Sequence, residues 1–275
     1  MTITECIRWA KALLVAEGAN LEAYLLLEQA SGMARTTLYA WPERSLEASV
    51  IQQFQTLVQE RRDGAPIAYL LGRREFYGLE LGVDKRVLIP RPETELLVDL
   101  VLEYADDRPL RVVDLGTGSG AIALALAAQR PTWSVTALDQ SEGALAVARA
   151  NQARLGIGNV EFCCSDWFSA LPLQSFDIIV SNPPYVESDS PYLQEGDVRF
   201  EPLSALVADN QGLADLFAII DAAPRYLAPK GWLWLEHGYT QGHSVRQRLL
   251  ECGYQQAQTQ RDLQGLDRVT GAQWP

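Results

Sequence analysis

An α/β fold is predicted: a mostly parallel sheet with an antiparallel hairpin at its C-terminal edge, preceded by a small helical bundle. Three observations lead there. From residue 111 onward, short apolar runs alternate with helical segments, the pattern of parallel strands and crossover helices. The glycine-rich stretch Gly116-Thr117-Gly118-Ser119-Gly120 joins the first of these strands to the first of these helices. Upstream of it, apolar residues recur at helical spacing. With 275 residues, 48% of them hydrophobic, the chain can bury a core large enough for two domains.

Taken in order, Cys6, Trp9, Ala10, Leu13 and Leu14 form one helical stripe, with i, i+3, i+4, i+7, i+8 spacing. Asn20 is the expected N-cap of a second helix through Leu21, Tyr24, Leu25 and Leu27. Leu46, Val50, Phe54, Leu57 and Val58 mark a longer third helix, stopped by Gly64-Ala65-Pro66. Such stripes build a core, and a bundle of this size can also dock a partner. Gly72, Gly78 and Gly82, with aromatic and apolar residues between them, predict a hairpin linker. Pro92 suits the first turn of a helix carrying Leu96, Leu97, Leu100 and Val101, with Glu93 and Glu95 at its positive end. The stiff Pro90-Arg91-Pro92 step would fix Arg91 and Glu93 on a cleft wall.

Strands are expected at 111–115, 134–138, 160–163, 177–180 and 232–236, and helices at 121–129, 143–152, 212–225 and 243–252. Residues 254–259 and 268–273 make the antiparallel hairpin. The domain boundaries read as 1–70 for the bundle, 71–92 for the linker and 93–275 for the sheet domain.

The net charge is -12, which repels phosphate backbones and argues against tight, non-specific nucleic-acid binding. Residues 1–75 carry 8 Lys and Arg against 9 Asp and Glu, and the remainder 15 against 26, so the acidity belongs to the sheet domain. The four cysteines, Cys6, Cys163, Cys164 and Cys252, contain no CxxC pair. Neither a disulfide framework nor a metal site is expected, and a reducing cytoplasm fits. No apolar run approaches the roughly 20 residues of a membrane span, and no signal peptide is expected from Met1-Thr2-Ile3-Thr4-Glu5.

Two stretches carry the chemistry. The glycines after Asp114-Leu115 permit a tight turn and close backbone approach to a ligand. Asp139, ending the next strand, stands where an acidic residue holds ribose hydroxyls. No Gly-Lys-Ser/Thr follows, which excludes a P-loop, and the spacing is G-x-G-x-G rather than the G-x-G-x-x-G of nicotinamide folds. The second stretch is Asn182-Pro183-Pro184-Tyr185, directly after the apolar run Phe176–Val180. Two consecutive prolines hold the chain extended and supply no N–H. The carbonyls of Asn182 and Pro183 are then free of local donors, between an amide side chain and an aromatic ring. That arrangement suits gripping a planar group that carries an NH2.

The glycine spacing resembles the first motif of class I S-adenosylmethionine-dependent methyltransferases, with their Rossmann-like sheet. The resemblance implies that Gly116, Thr117, Gly118, Ser119, Gly120 and Asn182 bind the cofactor, that Asp139 takes its ribose and that Trp167, in Asp166-Trp167, lies beside the adenine. Together with Asn182-Pro183-Pro184-Tyr185, the pattern resembles enzymes that methylate planar nitrogen, both adenine-N6 and protein-glutamine N5 methyltransferases. Further segments are similar to the release factor glutamine methyltransferase family (PrmC/HemK type): Tyr69-Leu70-Leu71-Gly72, Glu75-Phe76, Leu88–Glu95, Arg199-Phe200-Glu201-Pro202 and Glu236-His237-Gly238. These implicate nearly the whole chain, and imply methylation of the glutamine in the Gly-Gly-Gln motif of class 1 peptide chain release factors, by a cytoplasmic monomer.

On this reading Asn182 and Pro183 accept the two amide hydrogens, Tyr185 stacks on the amide, and Pro184, Phe76 and Arg91 complete the substrate site. Asn182, Pro183 and Tyr185 are the expected catalytic residues, while His237 and His243 are read as structural. The nearest alternative is an enzyme acting on a glutamine of a ribosomal protein. An adenine-N6 methyltransferase would need a basic surface for the backbone, against the acid excess.

Overall fold

A computed structural model describes residues 1–14, 18–105 and 108–275. The chain divides into two compact units, Met1–Arg73 with Gln194–Phe200, and Arg74–Leu193 with Glu201–Pro275.

The first unit is helical: α1 (Ile3–Leu13), α2 (Ala19–Ser31), α3 (Arg35–Ala40), α4 (Ala48–Arg62) and α5 (Ile67–Leu71). A reciprocal capping box starts α1: the Thr2 amide donates to Glu5 Oε2 at 2.9 Å and the Glu5 amide to Thr2 Oγ1 at 3.3 Å. The expected cap of α2 is corrected. Its N-cap is Gly18, in a left-handed conformation, and Asn20 lies inside the first turn. Tyr69, Leu70 and Leu71 belong to α5, so the hairpin begins after them. Ile3, Leu26, Leu27, Leu38, Phe54 and Val58 form the core of this unit. Arg61 bonds Glu22 at 2.8 Å and Asp197 at 3.1 Å, tying the returning segment to α2 and α4.

A hairpin follows, β1 (Arg73–Phe76) and β2 (Leu79–Gly82), all of it after Arg73 belonging to the second unit. A 3-10 turn, Pro92–Thr94, then leads into α6 (Glu95–Tyr104). The alternation that follows is β3 (Arg111–Leu115), α7 (Ala121–Gln129), β4 (Ser134–Asp139), α8 (Glu142–Leu155), β5 (Val160–Cys164) and β6 (Phe176–Ser181). After a short turn, α9 (Asp209–Gly212), come α10 (Ala214–Ala222), β7 (Leu227–Glu236), α11 (Gly242–Glu251), β8 (Gln255–Arg261) and β9 (Asp267–Gln273).

Among the described residues β3 to β9 form a seven-stranded sheet in the order β5-β4-β3-β6-β7-β9-β8. β3 to β7 run parallel, and β9 is antiparallel to both β7 and β8. One face is covered by a core containing the whole buried stretch of α7 with Val98 and Val101 of α6. The other is covered by Leu216, Ile219 and Ile220 of α10 with Val245 and Leu249 of α11. The chain winds outward from β3 to β5, then returns to pair β6 on the opposite side of β3. Strand order therefore reverses between β3 and β6, and a crevice opens at their C-terminal ends, where open α/β sheets bind ligands. The glycine-rich stretch leaves β3 at that point, and Asn182 leaves β6.

Candidate active site

Leu115, the last residue of β3, is paired with Leu138 of β4 on one side and Ser181 of β6 on the other. The Ser181 hydroxyl donates to the Leu115 carbonyl at 2.7 Å, locking the two strand ends together. Beyond them the loop turns through Gly116, Gly118 and Gly120, whose φ values are +73°, +57° and +85°. Asp139 holds this turn, accepting the Gly118 amide on Oδ2 and the Ser141 amide on Oδ1, each at 2.9 Å. Burial pushes its carboxyl upward, and those two amides oppose the shift. Each carboxylate oxygen keeps a further lone pair for a ligand hydroxyl.

A cavity of about 290 Å³ lies against this turn, walled by Gly116, Gly118, Asp139, Trp167, Asn182 and Asp215 among others. A Cβ on Gly116 would stand 3.5 Å from the Trp167 ring, so the bare backbone and the indole set the width of the cavity together. Burial raises the Asp215 carboxyl and a bond from Trp167 lowers it. Flat wall, acidic strand end and bare turn together fit a nucleoside with a short polar tail. Thr117, Ser119 and Gly120, expected on the wall, stand behind it. The Thr117 hydroxyl donates to buried Asp114 at 2.6 Å. The Ser119 carbonyl accepts from Asn151 at 2.9 Å, and Gly120 packs on Leu124 and Ala148. Asn151, on α8, also exchanges bonds with the backbone of Gly82, so it ties the turn to β2. Burial pushes the Asp114 carboxyl up to about 7.

A second cavity, about 180 Å³, is walled by Leu88, Arg91, Glu93, Asn182, Pro183, Tyr185, Glu236 and Arg268 with their neighbours. Asn182 belongs to both cavities. Its Nδ2 donates to Thr94 Oγ1 at 3.2 Å, which leaves Oδ1 as an acceptor. Among the described residues no donor reaches the Pro183 carbonyl. The Tyr185 hydroxyl donates to Glu236 Oε1 at 3.1 Å, and burial raises the pKa of both groups. Tyr185 is also gripped by its backbone, for Gln241 donates to its carbonyl at 3.1 Å. Gly212 allows that approach: its φ is +75°, and a Cβ there would stand 2.1 Å from the same carbonyl. Arg91 pairs with Glu201, a carboxylate that also accepts the Ile89 amide at 3.2 Å.

Two expected substrate residues are placed elsewhere. Pro184 faces the first cavity, not the second. Phe76 is fully buried in the core with Leu81 and Leu97, because alternation along β1 turns its side chain inward. His237 is buried between Thr270 Oγ1, at 2.7 Å, and the Gly238 carbonyl. Burial holds its pKa down to about 4, so the ring is neutral. Thr94, Glu236, Arg268, Asn151 and Asp215 were not singled out as site residues from sequence. The available signal was a carboxylate ending the apolar run Trp232–Leu235. Among the described residues no group of three or more His, Cys, Asp or Glu side chains is placed to hold a metal ion, and no helix is long and apolar enough to cross a membrane.

Comparison with known proteins is consistent across the chain. Residues 106–267 match the family model of a methyltransferase domain, and residues 5–72 that of the PrmC N-terminal domain. The release factor glutamine methyltransferase of Shewanella oneidensis is 46% identical over 274 residues, 99% of this chain and 96% of that protein. The protein of the same description from Salmonella typhimurium is 51% identical over 249 residues, 90% of each. Among solved structures, a methyltransferase from Pyrococcus furiosus shares the fold, with a TM-score of 0.55 at 18% identity over 80% of this chain and 96% of that one.

Proposed function

Because this chain belongs to the release factor glutamine methyltransferase family, we propose that it methylates the side-chain amide nitrogen of the glutamine in the Gly-Gly-Gln motif of class 1 peptide chain release factors, using S-adenosylmethionine. The observation that carries the reading is Asn182, common to a nucleoside-sized cavity and a smaller one lined by unpaired acceptors. The first cavity is the cofactor's. Asp139 takes the ribose, Trp167 lies against the base, and Gly116 and Gly118 give the backbone surface for the methionine end. The second takes the glutamine side chain.

A glutamine amide nitrogen is a weak nucleophile, since its lone pair is delocalised into the carbonyl. When bound, S-adenosylmethionine would supply a methyl group on a sulfonium whose S–CH3 bond breaks as the N–CH3 bond forms, the sulfur leaving as a neutral thioether, so positioning and polarisation supply most of the rate. Asn182 Oδ1 and the Pro183 carbonyl accept the two amide hydrogens and turn the nitrogen toward the cofactor cavity. As the lone pair leaves conjugation, positive charge grows on nitrogen, and the same two acceptors stabilise it. The new bond makes the N–H strongly acidic, and its proton passes to water. Tyr185, held by Glu236 and Gln241, walls the acceptor cavity. Arg91, held by Glu201, contributes its guanidinium at the same wall. The helical unit docks the release factor as the chain's partner, and a monomer acting in the cytoplasm meets the need.

The test is mass spectrometry of a release factor incubated with the enzyme and S-adenosylmethionine. One added methyl on the Gly-Gly-Gln glutamine supports the reading. An unmodified release factor beside a methylated ribosomal protein would replace it.

A further inference from the structure

We propose that Arg268 binds substrate, and that together with Arg91 it grips main-chain carbonyls of the peptide carrying the acceptor glutamine. The inference rests on the methyl-transfer reading above and adds to it how the chain beside the side-chain amide is recognised. Both guanidinium groups wall the cavity of about 180 Å³ to which Asn182 and Pro183 belong. They come from distant parts of the sequence, yet they are held in the same way.

Arg91 pairs through Nη2 with Glu201, whose side chain is 0% exposed. Arg268 donates from Nε and Nη2 to Asp262 Oδ2, at 3.2 and 3.1 Å, and the Asp262 side chain is 3% exposed. Each carboxylate is in turn fixed by backbone. Glu201 accepts the Ile89 amide at 3.2 Å, and Asp262 Oδ1 accepts those of Gln264 and Leu266 at 2.9 and 3.0 Å. Because β9 is antiparallel to β7, it begins where the parallel strands end. There the His237 amide, just past β7, donates to the Arg268 carbonyl at 2.9 Å. The turn between β8 and β9 therefore delivers a rigid cation to the crevice as well as closing the sheet edge.

A guanidinium carries its N–H donors in a planar fork. Among the described residues no acceptor reaches Nη1 of Arg268, nor Nε or Nη1 of Arg91. Donors with a fixed direction and no acceptor in the protein suit the oxygen atoms of a ligand. Charge decides which oxygen. Each cation is already matched by a buried carboxylate, and Glu93 stands at the same wall. An entering carboxylate or phosphate would lose its water and meet no surplus positive charge, whereas a neutral carbonyl needs only the donors. Glycine leaves its carbonyl least shielded, having no Cβ, and the proposed motif sets two glycines beside the glutamine. The cavity then offers acceptors to the side-chain NH2 and donors to the chain that carries it.

Steady-state methylation of a release factor tests the grip. Arg268→Ala should raise KM for the release factor at least about tenfold, with kcat held within about threefold, because a contact made equally in ground and transition states changes KM alone. S-adenosylmethionine affinity, by calorimetry, should also stay within about threefold. Arg268→Lys should recover only part of the loss, since an ammonium keeps the charge without the fork. Asp262→Asn should raise KM in the wild-type background and add little in Arg268→Ala, because it acts through Arg268. The KM ratio of Arg268→Ala to wild type should be the same at about 0.05 and about 0.5 M KCl; a ratio that collapses at high salt marks an anionic group and overturns the carbonyl assignment. If Arg268 only offsets the buried Glu236, kcat and the urea midpoint fall while KM is unmoved, and the grip is refuted with the functional reading intact. A wild-type enzyme inactive on the release factor refutes that reading instead. Should it methylate a ribosomal protein, the same KM series on that protein decides the grip; should it methylate neither, the grip falls too.

Discussion

Asn182→Ala is the sharpest test of the amide grip. The substitution removes one of two proposed acceptors for the glutamine NH2 and leaves the Pro183 carbonyl. Within the protein it removes one hydrogen bond, from the Asn182 amide to Thr94 Oγ1 at 3.2 Å. The loss to folding should therefore stay near that of one modest hydrogen bond, about 1 kcal/mol. The loss in the transition state is larger, since the acceptor opposes charge that grows only there; about 3 kcal/mol, or roughly 100-fold in turnover, is expected. Cofactor affinity should change by less than about threefold, under 1 kcal/mol, because Gly116, Gly118, Asp139 and Trp167 still wall that cavity. Single-turnover mass spectrometry gives the rate, calorimetry the S-adenosylmethionine affinity and urea unfolding the stability. Near-normal turnover would refute the grip. So would a fall in cofactor affinity large enough to account for the lost rate.

Three further outcomes are expected. Asp139→Asn leaves the Gly118 or the Ser141 amide without its acceptor, since an amide has only one oxygen for the two bonds seen here; calorimetry should find S-adenosylmethionine bound at least about tenfold more weakly. Gly212→Ala sets a Cβ 2.1 Å from the Tyr185 carbonyl at a φ of +75°, and its urea midpoint should correspond to a loss of at least about 2 kcal/mol. His237, held down to about 4 chiefly by burial, with the charges of Arg268 and Arg246 acting in the same direction and the Gly238 carbonyl and Asp267 opposing, stays neutral when folded while its unfolded form takes up a proton below about 6.5. The unfolded state then binds more protons, so stability falls as pH drops through that window, by about 2 kcal/mol between pH 7.5 and 5; urea unfolding should find this part of the loss absent in His237→Gln.

The elements that position the site were legible because they obey local rules. Residues 121–129 are apolar and strongly helix-forming, and they fold as the helix expected there. Asp139 and Asn182 end strands, where polarity changes abruptly along the chain. The failures are just as local. Asn20 is a better N-cap than glycine by preference, yet Gly18, with φ of +99°, turns the chain two residues earlier. Phe76 was expected to complete the substrate site from the linker, but its strand turns it into the core. Thr94 bonds Asn182 from the turn before α6, and Glu236 of β7 and Arg268 of β9 line the same cavity as Asn182, three segments far apart in sequence. Their convergence follows from sheet order, which no single window of sequence contains. Asn151 was hidden for a related reason: a polar residue on an amphipathic helix reads as solvated, whereas here it is buried and bonded to two backbones.

Strongly shifted acids and bases often mark catalytic groups, and here that inference misleads. Asp114, raised to about 7, has the affinity of a general base at neutral pH. It walls neither cavity, and its Oδ2 is taken by Thr117. Burial that supports the glycine turn raises it, not exposure to a reacting proton. The chemistry needs no such base, because the amide nitrogen becomes acidic only after the methyl is attached. What the reaction needs is acceptors that do not move as charge appears, and the proline pair meets that need by its geometry. Successive residues of an extended chain face opposite ways; Pro183 walls the cavity of about 180 Å³ and Pro184 that of about 290 Å³. One rigid step thus separates the two cavities and holds the Pro183 carbonyl against reorientation. Neither proline carries an N–H that could draw the chain into another turn. On the proposed reading, the stiffness that ends β6 is the same property that preorganises the acceptor.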